Sequence, residues 1–161
     1  MANLFNYGDT EDNAEYYPSP ITRKLPDWAW KLRWFGARDD THLGELFYEI
    51  YEAVQGKQYR LAAMGIRAFL EQMMISKVGD SGSFEANLNA FEKKGYISQV
   101  QKNAMASILD SGHAVIHRMH KPEEADLKTA LDIAESITAA IYFHEEAAKA
   151  VAAKAPPRRT R

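Results

Sequence analysis

From residue 43 onward the apolar residues recur with the period of an α-helix, and this spacing limits the fold more than any other feature. The first stripe follows the steps i, i+3, i+4, i+7, i+8 and i+11 and consists of Leu43, Leu46, Phe47, Ile50, Tyr51 and Val54. No segment alternates apolar and polar residues with period two, as a half-buried strand would. We therefore expect an all-α protein: a compact antiparallel bundle of about five helices, with an irregular N-terminal arm.

One of these helices differs from the others because it is apolar on nearly all sides. It spans about Gln58 to Val78, and such a helix lies at the centre of a bundle with several neighbours. Further helices are expected after Ser83, a predicted N-cap, and after Ser98, which forms a capping box with Gln101. The last helix is expected to start near Pro122.

The length of 161 residues corresponds to one domain with short extensions. We divide it into an aromatic and Pro-rich arm (1–40), a helical domain (41–146) and a basic Ala/Pro/Arg tail (147–161) that is expected to be disordered. The tail holds five basic residues and no acidic one, so the remainder is net acidic. An acidic body disfavours a broad phosphate-binding face and confines any nucleic-acid contact to a local site or the tail.

Cysteine is absent from the sequence. Its absence excludes a disulfide framework, a thiolate zinc site, an iron–sulfur cluster and a Cys nucleophile. The acidic N-terminus does not resemble a secretory signal, and no apolar run is long enough to cross a membrane. We expect a cytoplasmic protein with no membrane contact and no cofactor.

All three tryptophans lie in the segment PDWAWKLRWFG. The favoured interpretation is that these rings fix the arm onto the helical body, because a buried Trp contributes a large apolar area. With Lys31 and Arg33 interleaved, the same segment would also suit stacking of nucleic-acid bases, which requires that the rings be exposed.

The segment ILDSGHAVIHRMHK contains three histidines, His113, His117 and His120. Their spacing places them on one face if the helix continues that far, an arrangement that would suit Zn²⁺. More commonly, histidines in such a segment pack against neighbouring helices or place a positive charge at the C-terminal end of their own helix. A histidine pair would also suit proton transfer during RNA cleavage, with Arg67 or Arg118 as the cation that stabilises the transition state.

On the central helix, Arg67 and Glu71 have the i, i+4 spacing that permits an ion pair. The pair has two interpretations: it fixes the packing of the helix, or it forms the wall of a pocket with the histidine segment. The second requires that these two distant parts of the sequence converge in the fold.

Several segments occur in an order that resembles a known family: GIRAFLEQMM, LNAFEKKGYIS and ILDSGHAVIH, followed by a Pro-Glu-Glu helix start. Together they are similar to the domain of unknown function 4145 family, part of the broader HEPN group of small helical domains. The resemblance covers about residues 42–143. Its landmarks are Arg67-x-x-x-Glu71 and the segment from Gly112 to His117.

This resemblance implies a helical bundle that is usually a homodimer and occurs in bacterial and phage conflict systems. Many HEPN proteins are metal-independent RNases whose motif is Arg, a polar residue, three more residues and His, contributed by both protomers. His113 and His117 match the polar and final positions, whereas Gly112 replaces the catalytic Arg. Leu109 occupies a second position where an Arg is usual. The N-terminal zinc ribbon of many relatives requires Cys and is excluded.

The leading hypothesis is a HEPN-like module that is non-catalytic or weakly active and acts by homodimerisation and by binding a partner protein or RNA. The first alternative is an endoribonuclease that uses His113 and His117 with a repositioned Arg. The second is a sensor that binds a small ligand or nucleotide in a pocket formed by Arg67, Glu71 and His117.

Overall fold

A computed structural model describes residues 23–36 and 42–156 of the chain, and in these two ranges the secondary structure is entirely helical. The helices are α1 (Ala29–Gly36), α2 (Leu43–Gln55), α3 (Tyr59–Val78), α4 (Phe84–Lys93), α5 (Gln99–Arg118), α6 (Glu124–Ala139) and α7 (Glu145–Lys154). A π-helical turn, Ala140–His144, joins α6 to α7. The predicted all-α fold is confirmed.

Helix α3 is the central helix of the bundle. It packs against α2, α4, α5 and α6, and buried side chains are distributed around it: Ala62, Ala63, Ile66, Phe69, Leu70, Met73 and Met74. The prediction drawn from its all-round apolar pattern is therefore confirmed. Its central position lets a side chain of α3 face more than one neighbouring helix.

Local hydrogen bonds fix where the helices begin. The Ser83 hydroxyl accepts a bond from the Ala86 amide at the start of α4. Ser98 and Gln101 form the predicted capping box at the start of α5. Helix α6 begins at Glu124, slightly after the expected position near Pro122. These caps satisfy amides that have no partner within their own helix.

Helix α1 packs closely on α2, and the contact depends on Gly44. A Cβ built on Gly44 would lie 2.1 Å from the Arg33 Cα and 2.8 Å from the Leu32 carbonyl carbon, both in the backbone of α1. The Trp28 ring lies 5.2 Å from the Phe47 ring and 5.3 Å from the Phe143 ring, measured between centroids. Trp28 therefore packs on the bundle as the favoured interpretation of the tryptophan segment expects, whereas Trp30 and Trp34 are exposed and do not.

An ion-pair network connects the segment before α1 to α2 and α6. Arg23 donates from Nη2 to Glu135 at 2.6 Å and to Asp132 at 2.6 Å. The buried Tyr51 hydroxyl also donates to Glu135, and its pKa is raised by burial and by that carboxylate. Glu135 thus accepts bonds from both Arg23 and Tyr51, and it ties three separate segments together.

The helical structure extends further toward the C-terminus than expected. Residues 147–154, assigned above to a disordered tail, lie in α7, whose residues are all exposed. The boundary at residue 146 falls inside a continuous run of helix, whereas residues 157–161 and the arm before Arg23 lie outside the described residues. In the described part of the chain, no helix combines the length and apolarity needed to span a membrane.

Candidate functional site

Arg67 extends from α3 onto α5 and connects the two sequence landmarks. Its Nη1 donates to the carbonyl oxygen of Leu109 at 2.7 Å, and its guanidinium carbon lies 5.1 Å from the centre of the Phe84 ring. Near the start of α3, Arg60 donates to the Met119 carbonyl at 3.3 Å. Arg60 precedes Arg67 along α3, whereas the partner of Arg60, Met119, follows Leu109, the partner of Arg67. The two helices therefore run antiparallel. Arg67 consequently faces the turn of α5 that carries the histidines.

Gly112 permits this close approach between α3 and α5. A Cβ at Gly112 would lie 3.0 Å from the Arg67 Cβ, 3.2 Å from its Cδ and 3.4 Å from the Ala63 carbonyl oxygen. The position where the resemblance expects a catalytic Arg is therefore covered by Arg67 itself. Leu109, the second such position, is buried. The cation next to the histidine segment comes from α3 and not from α5.

His113 and His117 form an exposed pair of rings whose centroids are 4.1 Å apart. Partial desolvation and the charges of His117, Arg67 and Arg118 lower the pKa of His113 below its ordinary value, and Asp110 acts in the opposite direction. His113 thus favours the neutral form near pH 7 and retains a nitrogen that can accept a proton.

His120 does not share the face of the other two histidines. Helix α5 ends at Arg118, and Met119 adopts the left-handed conformation with φ 53°, which turns the chain before His120. His120 and Arg118 line a separate shallow depression with Asp110, Ser111 and Ala114. The face with three histidines is therefore not formed, since it required the helix to continue through His120.

Glu71 is not brought to the histidine segment. It is half-buried one turn beyond Arg67, and it is not among the residues that line the groove described below. The ion pair that the i, i+4 spacing permits is not formed, because the Arg67 guanidinium bonds to the Leu109 carbonyl instead. Of the predicted site residues, the fold brings Arg67 and His113 to one groove, and His117 contacts the His113 ring but does not line that groove.

Arg67 and His113 lie at one end of a groove between α3, α4 and α5. The groove has a volume of about 580 Å³ and is lined by Arg67, Phe84, Glu85, Leu88, Asn89, Gln99, Lys102, Asn103, Ala106, Leu109, Asp110 and His113. The α5 residues that line it run from Gln99 to His113, about 21 Å at 1.5 Å per residue. We call it the α3–α5 groove. Its volume is in the range of ligand sites in proteins.

The lining of the α3–α5 groove combines apolar rings and chains with hydrogen-bonding groups. Leu88 and Phe84 supply apolar surface, while the amides of Asn89, Gln99 and Asn103 both donate and accept hydrogen bonds. Lys102 is paired with Glu92 at 2.6 Å, which leaves Arg67 as the groove cation with no carboxylate partner among the described residues. Such a lining suits a flat, hydrogen-bonding ligand, with Arg67 available to a phosphate, although the carboxylates of Glu85 and Asp110 also line the groove.

The groove amides and Phe84 are not among the site residues predicted from the sequence. A signal for them was present, because Gln99, Asn103, Asp110 and His113 follow helical spacing and so form a polar stripe along α5. The contribution of α4 has no comparable signal, since it depends on how α4 packs against α3.

The positions of the His, Asp and Glu side chains also bear on whether a metal ion could be held. Within residues 23–36 and 42–156, no group of three or more His, Asp or Glu side chains is placed to hold a metal ion. The charged and titratable groups that line the groove are those of Arg67, Glu85, Lys102, Asp110 and His113.

The chain matches the model of a protein family. The family model described as "Domain of unknown function (DUF4145)" matches residues 48–158. This range includes every residue that lines the α3–α5 groove. No curated protein and no solved structure matches the chain. Because the match covers more than half of the 161 residues, the chain belongs to the DUF4145 family.

Proposed function

We propose that this protein is a HEPN-like homodimeric module that binds unpaired RNA in the α3–α5 groove and cleaves it weakly or not at all. The observation that carries this proposal is the position of Arg67 beside His113, at the end of a groove lined by three amides. A guanidinium pairs with phosphate oxygens, and amides bond to base edges. Binding at one local groove also agrees with an acidic body.

Weak or absent cleavage follows from Gly112. An Arg side chain at this position would emerge against the Arg67 Cβ, 3.0 Å from a Cβ at position 112. Arg67 stacks on Phe84 and donates to the Leu109 carbonyl, so part of its hydrogen-bonding capacity is used within the protein. Stabilising a transition state requires donors aimed at the developing charge. We assign Arg67 to phosphate binding.

Exposed apolar side chains next to the histidines support homodimerisation. Met64, Ile116 and Met119 are 38%, 45% and 70% exposed. Met64 shares the α3 stripe of Arg60 and Arg67, and Ile116 and Met119 lie at the C-terminal end of α5. Exposed apolar patches mark protein–protein interfaces. A second copy placed here would bring two histidine pairs close together.

A metal-independent ribonuclease is the second candidate, and the His113–His117 pair favours it. Two imidazoles with centroids 4.1 Å apart, one with a lowered pKa, can serve as base and acid in cleavage at a 2′-hydroxyl. This candidate requires that Arg67 turn from the Leu109 carbonyl toward the scissile phosphate.

Arg67→Ala is expected to weaken RNA binding by about tenfold to a hundredfold, because a charge-assisted hydrogen bond contributes about 1.5–3 kcal/mol. The measurement is fluorescence anisotropy with a labelled, unstructured RNA of twelve nucleotides. Arg60→Ala is the matched control, since Arg60 also lies on α3 and donates to an α5 carbonyl, but outside the groove. The control should change the affinity less than about twofold.

The same RNA, incubated with and without a chelator, distinguishes the two candidates. The proposal expects the RNA to remain intact. Cleavage that survives chelation and disappears in His117→Ala would establish the ribonuclease instead. RNA binding that is absent, or equally weakened in both arginine variants, would contradict the α3–α5 groove as the site. Mass photometry tests the dimer, and a strict monomer at micromolar concentration would contradict it.

A further inference from the structure

Helix α1 has one face fixed to the bundle. Ala29 and Leu32 are 2% and 1% exposed, and the Trp28 ring packs on Phe47 and Phe143. The backbone of α1 contacts α2 at Gly44 without a side chain between them. These contacts hold α1 in place, and Trp28 is the one of the three tryptophans that takes part in them.

The opposite face of α1 exposes the other two. Trp30 is 61% exposed and Trp34 is 66% exposed, although burying such rings would be favourable. The two residues are four positions apart, so they lie on the same side of the helix and about 6 Å apart along its axis. We call these two rings the Trp30–Trp34 platform.

The charged residues within α1 have one sign, and Asp27, the acidic residue just before the helix, is paired with Lys24 at 3.7 Å. The α1 sequence AWKLRWFG contains two cations, Lys31 and Arg33, and no acidic residue. The Lys31 ammonium lies 5.7 Å from the centre of the Trp30 ring, and the Arg33 guanidinium lies 5.3 Å from the Tyr48 ring. Cations placed among exposed aromatic rings attract a chain that combines negative charge with flat apolar groups.

We propose that the Trp30–Trp34 platform is a second RNA contact, on which two unpaired bases stack while Lys31 and Arg33 face the phosphates. Stacking tolerates any base because every base presents an aromatic face, so this contact adds affinity without sequence preference. The occupant class, single-stranded RNA, rests on the function proposed above, but the surface differs: α1 lies before residues 48–158 that match the family and outside the α3–α5 groove.

The test compares two double variants in the RNA titration described above. Trp30→Ala with Trp34→Ala is expected to weaken binding about tenfold or more, because each stacked base is sensitive to removal of its ring. Trp30→Phe with Trp34→Phe retains stacking rings and should lie within about threefold of the wild type. Since both side chains are largely exposed, the unfolding midpoint should change little in either variant.

Intrinsic fluorescence provides an independent measurement. RNA should quench the wild type, whereas Trp28, the tryptophan that remains in the double alanine variant, should respond little because it is packed against Phe47. Unchanged affinity in the alanine variant, or equal losses in the alanine and phenylalanine variants, would overturn the platform.

The outcomes separate this inference from the proposed function. If Arg67→Ala weakens binding and the tryptophan variants do not, the platform is wrong and the groove stands. If only the tryptophan alanine variant weakens binding, the groove is wrong and the platform stands. No RNA binding by the wild type would contradict both.

Discussion

Gly44→Ala is expected to lower the free energy of unfolding by about 2–3 kcal/mol, at the upper end of the range for overpacked sites. The added Cβ would lie 2.1 Å from the Arg33 Cα, 2.5 Å from the Arg33 nitrogen and 2.8 Å from the Leu32 carbonyl carbon. These are backbone atoms, so no rotamer change can relieve the clash. The whole of α1 has to shift, and Trp28 then loses part of its contact with Phe47 and Phe143.

Alanine also favours a helix over glycine by about 1 kcal/mol, which opposes this loss. Gly65→Ala is a matched control, because Gly65 is also helical and its added Cβ would lie 2.7 Å from Cγ1 of the Ile50 side chain. A side chain can move where a backbone cannot, so this variant should be less destabilised. Urea denaturation measures both. A Gly44→Ala protein as stable as the wild type, or more stable than Gly65→Ala, would contradict the close packing of α1 on α2.

The second large effect concerns the network at Glu135, where Glu135→Ala is expected to cost about 2–3 kcal/mol of unfolding free energy. The substitution removes the acceptor of the buried Tyr51 hydroxyl and two bonds from Arg23, at 3.0 and 2.6 Å. The side chains of Arg23 and Glu135 are only 17% and 20% exposed, so water replaces these bonds poorly.

Asp132→Ala provides the comparison within the same network. Asp132 also accepts from Arg23 at 2.6 Å, but its side chain is 56% exposed. Exposed ion pairs contribute little, so this variant should lose less than about 1 kcal/mol. Thermal or urea unfolding distinguishes the two variants. Equal losses of unfolding free energy in the two variants would show that burial does not determine how much the Glu135 hydrogen bonds contribute to stability.

The sequence predicted the features that depend on neighbouring residues. The apolar spacing located the main helices, and Ser98 with Gln101 located the start of α5, because both signals act within a few residues. The i, i+4 spacing of Arg67 and Glu71 is a local signal of the same kind, but the ion pair that it permits is not formed. A carbonyl on α5 accepts the Arg67 bond instead, and no local pattern reveals that partner.

The candidate site was predicted only in part, for the same reason. The fold places Arg67 and His113 at the same groove, whereas His117, which the pocket hypothesis paired with Arg67, does not line it, and the end of α5 at Arg118 separates His120 from them. The groove wall formed by α4 and the different exposures of Trp28, Trp30 and Trp34 depend on how whole helices pack. A helical spacing shows which residues share a face, but it does not show which face is covered.

The titration of His113, followed by NMR, tests directly whether the Arg67 cation lies beside His113. In the wild type, His113 should titrate below the ordinary histidine pKa of about 6.5. Arg67→Ala removes one of the charges that lower this pKa, so the midpoint should rise, while Arg60→Ala, the matched arginine on α3, should leave it in place. A His113 midpoint that is the same in the wild type and in Arg67→Ala would contradict the convergence of the two landmarks.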